Sequence, residues 1–267
     1  MLSSLFSYNV LAFSGTVLRS PVPERGVSPR METVSDLKTL ATKANPIVGF
    51  WDPLNLVEYD QFSQGEEAAI GFLRHAEIKH GRVAMAAFVG YCVQANGIHF
   101  PWGITGQISF GEISAAGGPP DQWDALPTAA KLQIIGFIAF LELVGENTYI
   151  LELSGEKHYM RGGKPGFFPS FKPWMPHPVP FDLVDPFGLQ KNMSPEKKAA
   201  SLIAEINNGR LAMLGIMAFV SEAKVPGSVP ALSGLIKPYA GEVMAPFSQA
   251  DAANLPFVTE MLQYKLF

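Results

Sequence analysis

Two short segments of this chain repeat the same unusual combination of charged and small apolar residues. The first reads EIKHGRVAM from Glu77, and the second reads EINNGRLAM from Glu205. In each copy an arginine follows the glutamate at the same spacing, and an uncharged stretch comes next. A lone charge in lipid costs about 2.5–3.5 kcal/mol on insertion scales, so such groups survive by pairing. The repeat therefore predicts two helices that cross and exchange ion pairs, Arg210 with Glu77 and Arg82 with Glu205.

Small residues beside these charges predict a close approach of the two helices. They recur at every third position of both copies, at Gly81, Ala84, Ala87 and Gly90 and at Gly209, Ala212, Gly215 and Ala218. Such a row lets two helix backbones pack together, whereas bulky side chains would separate the helices and their ion pairs. A close crossing is our interpretation, and the alternative is that small residues simply suit any membrane helix.

Apolar periodicity and Gly/Pro punctuation predict three long helices over about 64–96, 127–153 and 194–223, with long loops between them. Short amphipathic helices are expected around 229–237 and 251–264, and no alternating run predicts a strand. The apolar centre of each long helix spans only about 10–14 residues, which alone favours a buried soluble helix. A helix of about 30 residues is nevertheless about 45 Å long and can cross a bilayer. Hydropathy leaves the membrane question open, so the charges must decide it.

Charge and cysteine content exclude several classes of function. Charged residues make up 16% of the 267 residues and the net charge is −4, which gives no reason to expect nucleic acid. The single cysteine, Cys92, excludes an internal disulfide and a cysteine-based zinc site. The expected organisation is an N-terminal extension over 1–44, a three-helix domain over 45–225 and a tail over 226–267. The extension is either a targeting segment or its remnant, or a disordered mature tail.

The repeated motif also offers metal ligands on one face of each helix. Glu77 and His80 are three residues apart and share a face, as do Glu205 and Asn208. Carboxylate oxygen suits Mg²⁺, imidazole nitrogen is a versatile ligand and amide oxygen is a weaker one. Single ligands on successive turns do not converge on one ion. They suit separate flat magnesium chelates that each need one axial ligand, and chlorophyll fits that description.

At these residues the chain resembles the chlorophyll-binding light-harvesting antenna superfamily, and the chlorophyll a/c branch with fucoxanthin or peridinin is the more similar. The two repeats resemble that family's first and third membrane helices. GFWDPLNL (49–56) and FDLVDPFGL (181–189) resemble its paired Asp-Pro-Leu loops, and HYMRGGKPGFFP (158–169) resembles the branch's connection after the middle helix. The resemblance covers roughly 45–225. It implies an all-α membrane protein with three transmembrane helices, the first and third crossing as a pseudo-two-fold pair.

The resemblance also implies which residues hold pigment. It assigns chlorophyll magnesium to Glu77, His80, Glu205 and Asn208, with ion pairs from Arg82 and Arg210 supporting the carboxylates. Further chlorophyll positions are Gln133, Glu142 and Glu222, the last of which replaces the glutamine common in the family. Three histidines near helix ends are candidates for additional chlorophylls: His75, His99 and His158.

The function that the resemblance implies is light harvesting, without an enzymatic reaction. Its cofactors are chlorophyll a, chlorophyll c, carotenoids of the peridinin or fucoxanthin type and of the diadinoxanthin type, and bound lipid. Carotenoid polar ends are expected near 50–54 and 181–187. The implied location is the plastid thylakoid membrane, multi-pass, with a photosystem core (photosystem I is favoured), neighbouring antenna subunits and thylakoid lipids as partners.

Two alternatives stay open at the sequence level. A member of the same family can mainly dissipate excess energy rather than pass it on. A di-iron carboxylate bundle also uses Glu-x-x-His on helices. That bundle needs two such motifs, and the second copy here carries Asn208 instead of histidine.

Overall fold

The computed structural model describes residues 32–60, 63–104, 108–173, 185–188, 192–243 and 245–263, and within these ranges the chain is mostly helical. The α-helices in chain order are α1 Val34–Ala44, α2 Glu66–Ala95, α3 Phe110–Ala115, α4 Pro119–Asp124, α5 Thr128–Glu146, α6 Thr148–Leu153, α7 Pro195–Lys224 and α8 Phe257–Gln263. Short 3₁₀ helices lie at Tyr159–Arg161, Pro230–Leu232 and Gln249–Ala253. The expected carotenoid segment 181–187 and the loop FDLVDPFGL lie largely outside the described residues.

The two long helices that carry the repeat begin and end close to their predicted bounds. Ser194 caps α7 by accepting a hydrogen bond from the Lys197 backbone N–H, and Pro195 occupies the first turn, where a missing N–H costs nothing. The middle helix, in contrast, is divided where one helix over 127–153 was predicted. Asn147 has an extended backbone with ψ 111°, and its side chain accepts from Ile150 N–H to start α6. A local cap therefore competes successfully with helix continuation.

Several other elements were not predicted, among them α3 and α4 in the connection before α5. Strands β1 Gly103–Ile104 and β2 Ile108–Ser109 form a small antiparallel hairpin in the connection after α2. Helix α1 lies in the segment expected to be an N-terminal extension, and Thr33 and Asp36 form its capping box. Its end is fastened to α7, because the Asn207 side-chain amide donates to Ala44 O at 3.0 Å.

The centre of the fold is the crossing of α2 and α7. A β-carbon placed on Gly209 would lie 2.9 Å from the α-carbon of Gly81, and one on Gly81 would lie 3.1 Å from that of Gly209. The backbones therefore touch at equivalent positions of the repeat. Gly90, predicted to extend this contact row, has nothing within 4 Å of such a β-carbon. The contact is thus concentrated at one crossing point, beyond which the helices diverge.

Helix α5 lies apart from this pair and is apolar on its outside. Its only buried residues are Lys131, Val144 and Gly145, whereas Phe137 is 60% and Leu143 72% exposed. Over the described residues α5 is the one helix whose length and mean hydropathy, 1.5, satisfy the usual criteria for a membrane span. Helices α2 and α7 fall short because they carry the charged repeat, although they also expose large apolar side chains such as Val83 and Leu214.

The C-terminal tail closes the end of the molecule where α2 and α7 stop and α5 begins. Lys131 Nζ, fully buried, donates to Asp251 Oδ2 at 2.6 Å, and Thr128 Oγ1 donates to Oδ1 at 2.7 Å. Burial opposes ionisation of Asp251, but the contacts with Lys131, Thr128 and the Ser248 N–H outweigh it and lower the pKa of that carboxyl. The tail is therefore held by a buried ion pair.

Candidate functional site

The crossing brings the four charges of the repeat together across the two helices. Arg82 Nε lies 2.6 Å from Glu205 Oε1, and Arg210 contacts Glu77 Oε1 at 2.7 Å through both Nε and a terminal nitrogen. These are the two cross-pairs that the repeat predicts. All four side chains are partly exposed, so each carboxylate lies at the outer surface of the helix pair and can reach a group outside it.

The two carboxylates are not equivalent, because a third arginine joins one of them. Arg74 lies one turn before Glu77 on α2. Its Nη1 contacts Glu77 Oε2, and its Nε contacts Glu32 Oε2 at 3.2 Å. Both oxygens of Glu77 therefore have an arginine partner. Among the described residues, Glu205 has one arginine partner, Arg82, which contacts it through Nε. The Nη1 of Arg82 donates to the Gly166 carbonyl at 2.5 Å. The i, i+3 spacing of Arg74 and Glu77 in the sequence is itself a signal for an ion pair on one helix face.

His80 has the protonation pattern of an axial ligand. Its Nδ1 lies 2.8 Å from the Ala76 carbonyl, one turn earlier on α2. A carbonyl only accepts, so Nδ1 carries the proton and Nε2 of the neutral ring keeps its lone pair. The side chain is exposed. A metal chelate can therefore bind Nε2 from outside the helix without disturbing the packing.

The equivalent residue on α7, Asn208, is also exposed, whereas its neighbour Asn207 is partly buried and holds α1. The two adjacent amides thus have different tasks. Consecutive residues of a helix point about 100° apart, so Asn208 faces away from the contact that Asn207 makes with α1. Among the described residues, no group of three or more His, Cys, Asp and Glu side chains could hold a bare metal ion.

The two predicted ligands on α5 have different surroundings. Gln133 is exposed and borders a cleft that also contains His99. Glu142 is exposed but pairs with Lys79 of α2 at 2.5 Å, and Glu146, the neighbour one turn on, lies 3.7 Å from the same lysine. Lys79 therefore links α5 to α2 through two carboxylates, and Glu142 keeps one oxygen outside the pair.

The surroundings of Glu222 indicate a structural task. Its side chain is buried, 2% exposed as a residue, and its two oxygens accept from Gly227 N–H and Val229 N–H, each at 2.8 Å. These bonds fix the turn that follows α7. A magnesium chelate would have to displace that turn, so this geometry argues against a chlorophyll on Glu222.

His75 and His158 are both committed to protein contacts. His75 Nδ1 accepts from Gly166 N–H at 3.1 Å, so Nε2 carries the proton, and it lies 3.7 Å from Glu146 inside the fold. His158 Nδ1 accepts from Met160 N–H, and its Nε2 lies 3.0 Å from Glu146. Neither ring offers a free lone pair, so their geometry argues against additional chlorophylls there. Both instead dock the connection after α6 onto α2.

Tyr159 completes this docking contact. Its ring stacks on His75 with centroids 3.9 Å apart, and its hydroxyl donates to Glu146 at 3.0 Å. Burial, followed by that hydrogen bond, raises the pKa of the Tyr159 hydroxyl, so it stays a donor. Gly71 permits the contact, because a β-carbon there would lie 2.5 Å from the Tyr159 carbonyl.

His99 is arranged like His80. Its Nδ1 lies 2.9 Å from the Phe100 carbonyl, which leaves the lone pair on Nε2. The side chain is exposed and lies on the wall of the same cleft as Gln133. Of the three histidines near helix ends, His99 alone keeps a ring nitrogen free for a metal.

A second cavity, 650 Å³ in volume, lies beside the Arg82–Glu205 pair. Phe167, Phe168 and Leu202 contribute apolar wall to it. Six charged side chains also line it, Arg82, Glu156, Lys164, Asp185, Lys198 and Glu205, so its wall is polar as well as apolar.

Comparison with known proteins agrees with this arrangement. Residues 37–224 match the family described as chlorophyll A-B binding protein. The chain is 32% identical over 196 residues to a fucoxanthin-chlorophyll a-c binding protein, chloroplastic, of Trieres chinensis, covering 70% of this chain and 79% of that protein. It is 33% identical over 184 residues to fucoxanthin-chlorophyll a-c binding protein F of Phaeodactylum tricornutum, covering 68% and 77%. The corresponding protein F of Macrocystis pyrifera is 29% identical over 209 residues, covering 77% and 81%.

The matched range contains α2, α5 and α7 with both copies of the repeat. This family consists of pigment-binding light-harvesting proteins and not of enzymes, which confirms the expectation drawn from the motif. The paired glutamates and arginines at the crossing and the matched family lead to one conclusion: the chain belongs to the chlorophyll-binding light-harvesting antenna family.

Proposed function

We propose that this protein is a three-span antenna of the plastid thylakoid membrane that binds chlorophyll a, chlorophyll c and carotenoids and passes excitation energy to a photosystem. The relatives reported above are named for fucoxanthin and chlorophylls a and c, which supports this pigment set. A carotenoid of the fucoxanthin or peridinin type, one of the diadinoxanthin type and bound lipid complete the set. On overall sequence similarity alone, we propose photosystem I as the energy acceptor, together with contacts to neighbouring antenna subunits.

The observation that carries this proposal is the inverted burial of α5. An apolar helix in a soluble protein buries its apolar side and exposes its charges. In α5 the fully buried side chain is Lys131, whereas Phe137, Ile138 and Leu143 are each more than half exposed. A helix of this composition needs an apolar surrounding, and over the described residues the protein does not provide it. Lipid on one side and pigment between α5 and the α2–α7 pair would provide it.

The proposed spans are α2, α5 and α7. Helices α2 and α7 contain 30 residues each, which corresponds to about 45 Å, more than the hydrocarbon core of a bilayer. Their charged repeats would be tolerable inside the membrane because the cross-pairs neutralise them. Each pair also holds its carboxylate in one orientation, which fixes where a pigment can attach.

Chlorophyll would attach to these helices through Glu77, His80, Glu205 and Asn208, and to α5 through Gln133 and Glu142. When bound, the chlorophylls supply the absorption of light and the transfer of excitation. Each of these side chains would supply one ligand to a chlorophyll magnesium, and the helices would hold the pigments at fixed separations. Arg82 and Arg210 would hold the glutamates in one orientation, and the His80 Nδ1–H bond to Ala76 sets the ring nitrogen that points outward.

Reconstitution tests this function directly. The full chain is refolded with chlorophyll a, chlorophyll c and carotenoids in detergent, and pigments are extracted and quantified. We expect several chlorophylls per chain, and carotenoid excitation that yields chlorophyll a fluorescence. A chain that folds but takes up no chlorophyll would contradict the proposal. A fluorescence lifetime that is short at both neutral and acid pH would indicate dissipation instead of harvesting.

A further inference from the structure

A largely apolar cleft lies away from the α2–α7 crossing, between the end of α2, the connection that follows it and the start of α5. Its volume is 610 Å³, and none of the four ligands at the crossing lines it. Most of its wall is apolar, including Val93, Ile98, Phe110 and Ile134. Apart from His99, the described wall contains no ionisable side chain, since its other polar members are glutamines. The cleft therefore favours an uncharged, apolar occupant.

His99 gives this cleft a single metal-binding atom. The Nδ1–H group donates to the Phe100 carbonyl at 2.9 Å, and this bond fixes the tautomer. In the neutral ring Nε2 therefore carries a lone pair and no proton. Gly111 faces the same edge of the ring. A β-carbon at Gly111 would lie 3.6 Å from His99 Cε1 and 3.9 Å from Nε2, so glycine keeps this edge clear.

The surroundings of His99 are apolar and exposed. Phe100 stacks on Trp102 with ring centroids 4.7 Å apart, and both rings are more than half exposed, as is Ile98. Exposed aromatic and aliphatic groups around one basic nitrogen match a flat apolar ring system with a central metal. A carotenoid would cover the apolar groups but would have no metal for the lone pair.

We propose that His99 binds, through Nε2, the magnesium of a peripheral chlorophyll whose ring lies in this cleft. This inference rests on the proposed pigment-binding function and adds a site beyond the ligands at the helix crossing. The site connects the end of α2 to the start of α5, two helices that over the described residues meet mainly through polar side chains. The pigment itself would fill the space between them.

The test compares His99→Leu with the wild-type full chain, both reconstituted with chlorophylls a and c and carotenoids. We expect the variant to bind one chlorophyll fewer per chain with its carotenoid content unchanged. His158→Leu is the matched control, since both ring nitrogens of His158 contact protein. It should keep the wild-type chlorophyll number even if it melts at a lower temperature.

Two further variants separate ligation from folding. His99→Ala should regain the missing chlorophyll when imidazole is added, because free imidazole can replace the lost ligand. Gly111→Leu keeps the histidine but fills the space at its edge, and it should lose the same chlorophyll. Unchanged chlorophyll number in His99→Leu and Gly111→Leu, or loss of a carotenoid in place of a chlorophyll, would overturn the site. A wild-type chain without chlorophyll would instead overturn the proposed function.

Discussion

Glu77 and Glu205 occupy equivalent positions in the repeat, yet they differ in how many cations hold them. Among the residues that the structure describes, Glu77 contacts Arg210 and Arg74, whereas Glu205 contacts the single arginine Arg82. An unpaired carboxylate in an apolar environment is costly, so the number of remaining partners decides the effect of a substitution. Although the two pairs look alike in the sequence, the stability of the complex should therefore depend more on Arg82 than on Arg210.

Arg82→Leu should destabilise the pigment complex more than Arg210→Leu. The first leaves Glu205 without its arginine among the described residues and also removes the bond to Gly166 O. Because both side chains are partly exposed, the loss should be about 2 kcal/mol, between the values for exposed and buried pairs. The second leaves Glu77 with Arg74 and should cost about half as much. Thermal melting of reconstituted complexes measures both. If Arg210→Leu is the more damaging, Arg74 does not compensate.

Asp251 should make the C-terminal tail sensitive to acid. Its pKa is lowered below the ordinary 3.8, so its contribution to stability is present above that pH and is lost as pH falls through the lower folded value. We expect Asp251→Asn to melt at a lower temperature than wild type at neutral pH, and the difference to shrink as the pH falls below 3.8. Melting temperatures between pH 7 and pH 3, read as a titration, test this.

The double variant Lys131→Met, Asp251→Leu is the matched control for that titration. It removes both members of the buried pair, so no uncompensated charge remains, and replacements of this kind are often nearly neutral. Its melting temperature should approach that of wild type at neutral pH and lack the acid-dependent component. A double variant as unstable as Asp251→Asn would show that the tail depends on something other than charge pairing.

At the scale of elements, the molecule depends on how closely α2 and α7 approach. The two glycines at the crossing place backbone against backbone, and the arginines span the gap that this sets. Farther along, Phe88 lies over Gly215, where a β-carbon would be 2.8 Å from its ring, and stacks on Phe219 at 5.0 Å. Small residues thus allow backbone contact at Gly81 and Gly209, and at Gly215 they leave room for the Phe88 ring.

Gly209→Ala should weaken the complex, whereas Gly90→Ala should not. The new methyl group at 209 would lie 2.9 Å from the Gly81 α-carbon, and backbone atoms cannot move aside without separating the helices. The methyl group at 90 meets nothing within 4 Å, and alanine is the better helix former. Pigment yield and melting temperature after reconstitution distinguish the two. Equal behaviour of both variants would mean that the crossing is not the tight contact.

At the scale of the whole molecule, three proposed spans imply that the two ends of α7 lie on opposite sides of the membrane. The tail after α7 reaches the start of α5, since Tyr239 OH donates to Asp124 at 2.6 Å and Trp123 Nε1 donates to Pro246 O at 2.9 Å. Burial, followed by the bond to Asp124, raises the pKa of the Tyr239 hydroxyl, which therefore stays a donor. That end of the molecule is joined by polar contacts suited to an aqueous surface.

Thiol labelling in sealed vesicles tests this topology. In a Cys92→Ser background, single cysteines replace Lys197, in the first turn of α7, or Leu235, which is 74% exposed beyond its end. A membrane-impermeant maleimide should label one position in intact vesicles and the other only after lysis. Labelling of both positions from the same side would rule out α7 as a span.

Much of the architecture could be read from the chain because the decisive interactions are written locally. The repeat predicted the crossing, its cross-pairs and its close approach, since an acid, a glycine and an arginine at fixed helical spacing define both the charges and the gap. It also predicted that α2 and α7 would be long, because apolar periodicity and the Ser-Pro cap are local signals. The break at Asn147 and the start of α1 have local signals as well, namely the Asn147 cap and the Thr33–Asp36 capping box.

What only the tertiary structure decided is how side chains distant in sequence share their hydrogen-bonding capacity. Glu146 contacts both His75 and His158, and the backbone N–H groups of the 227–229 turn donate to Glu222. Arg74 contacts Glu32 as well as Glu77. His99 keeps its lone pair only because a carbonyl fixes its other nitrogen. A residue type and its spacing show that a group can bind a metal. Whether an atom of that group remains free depends on which neighbours the fold brings to it, and some of those neighbours, such as Gly166 beside His75, lie far away along the chain.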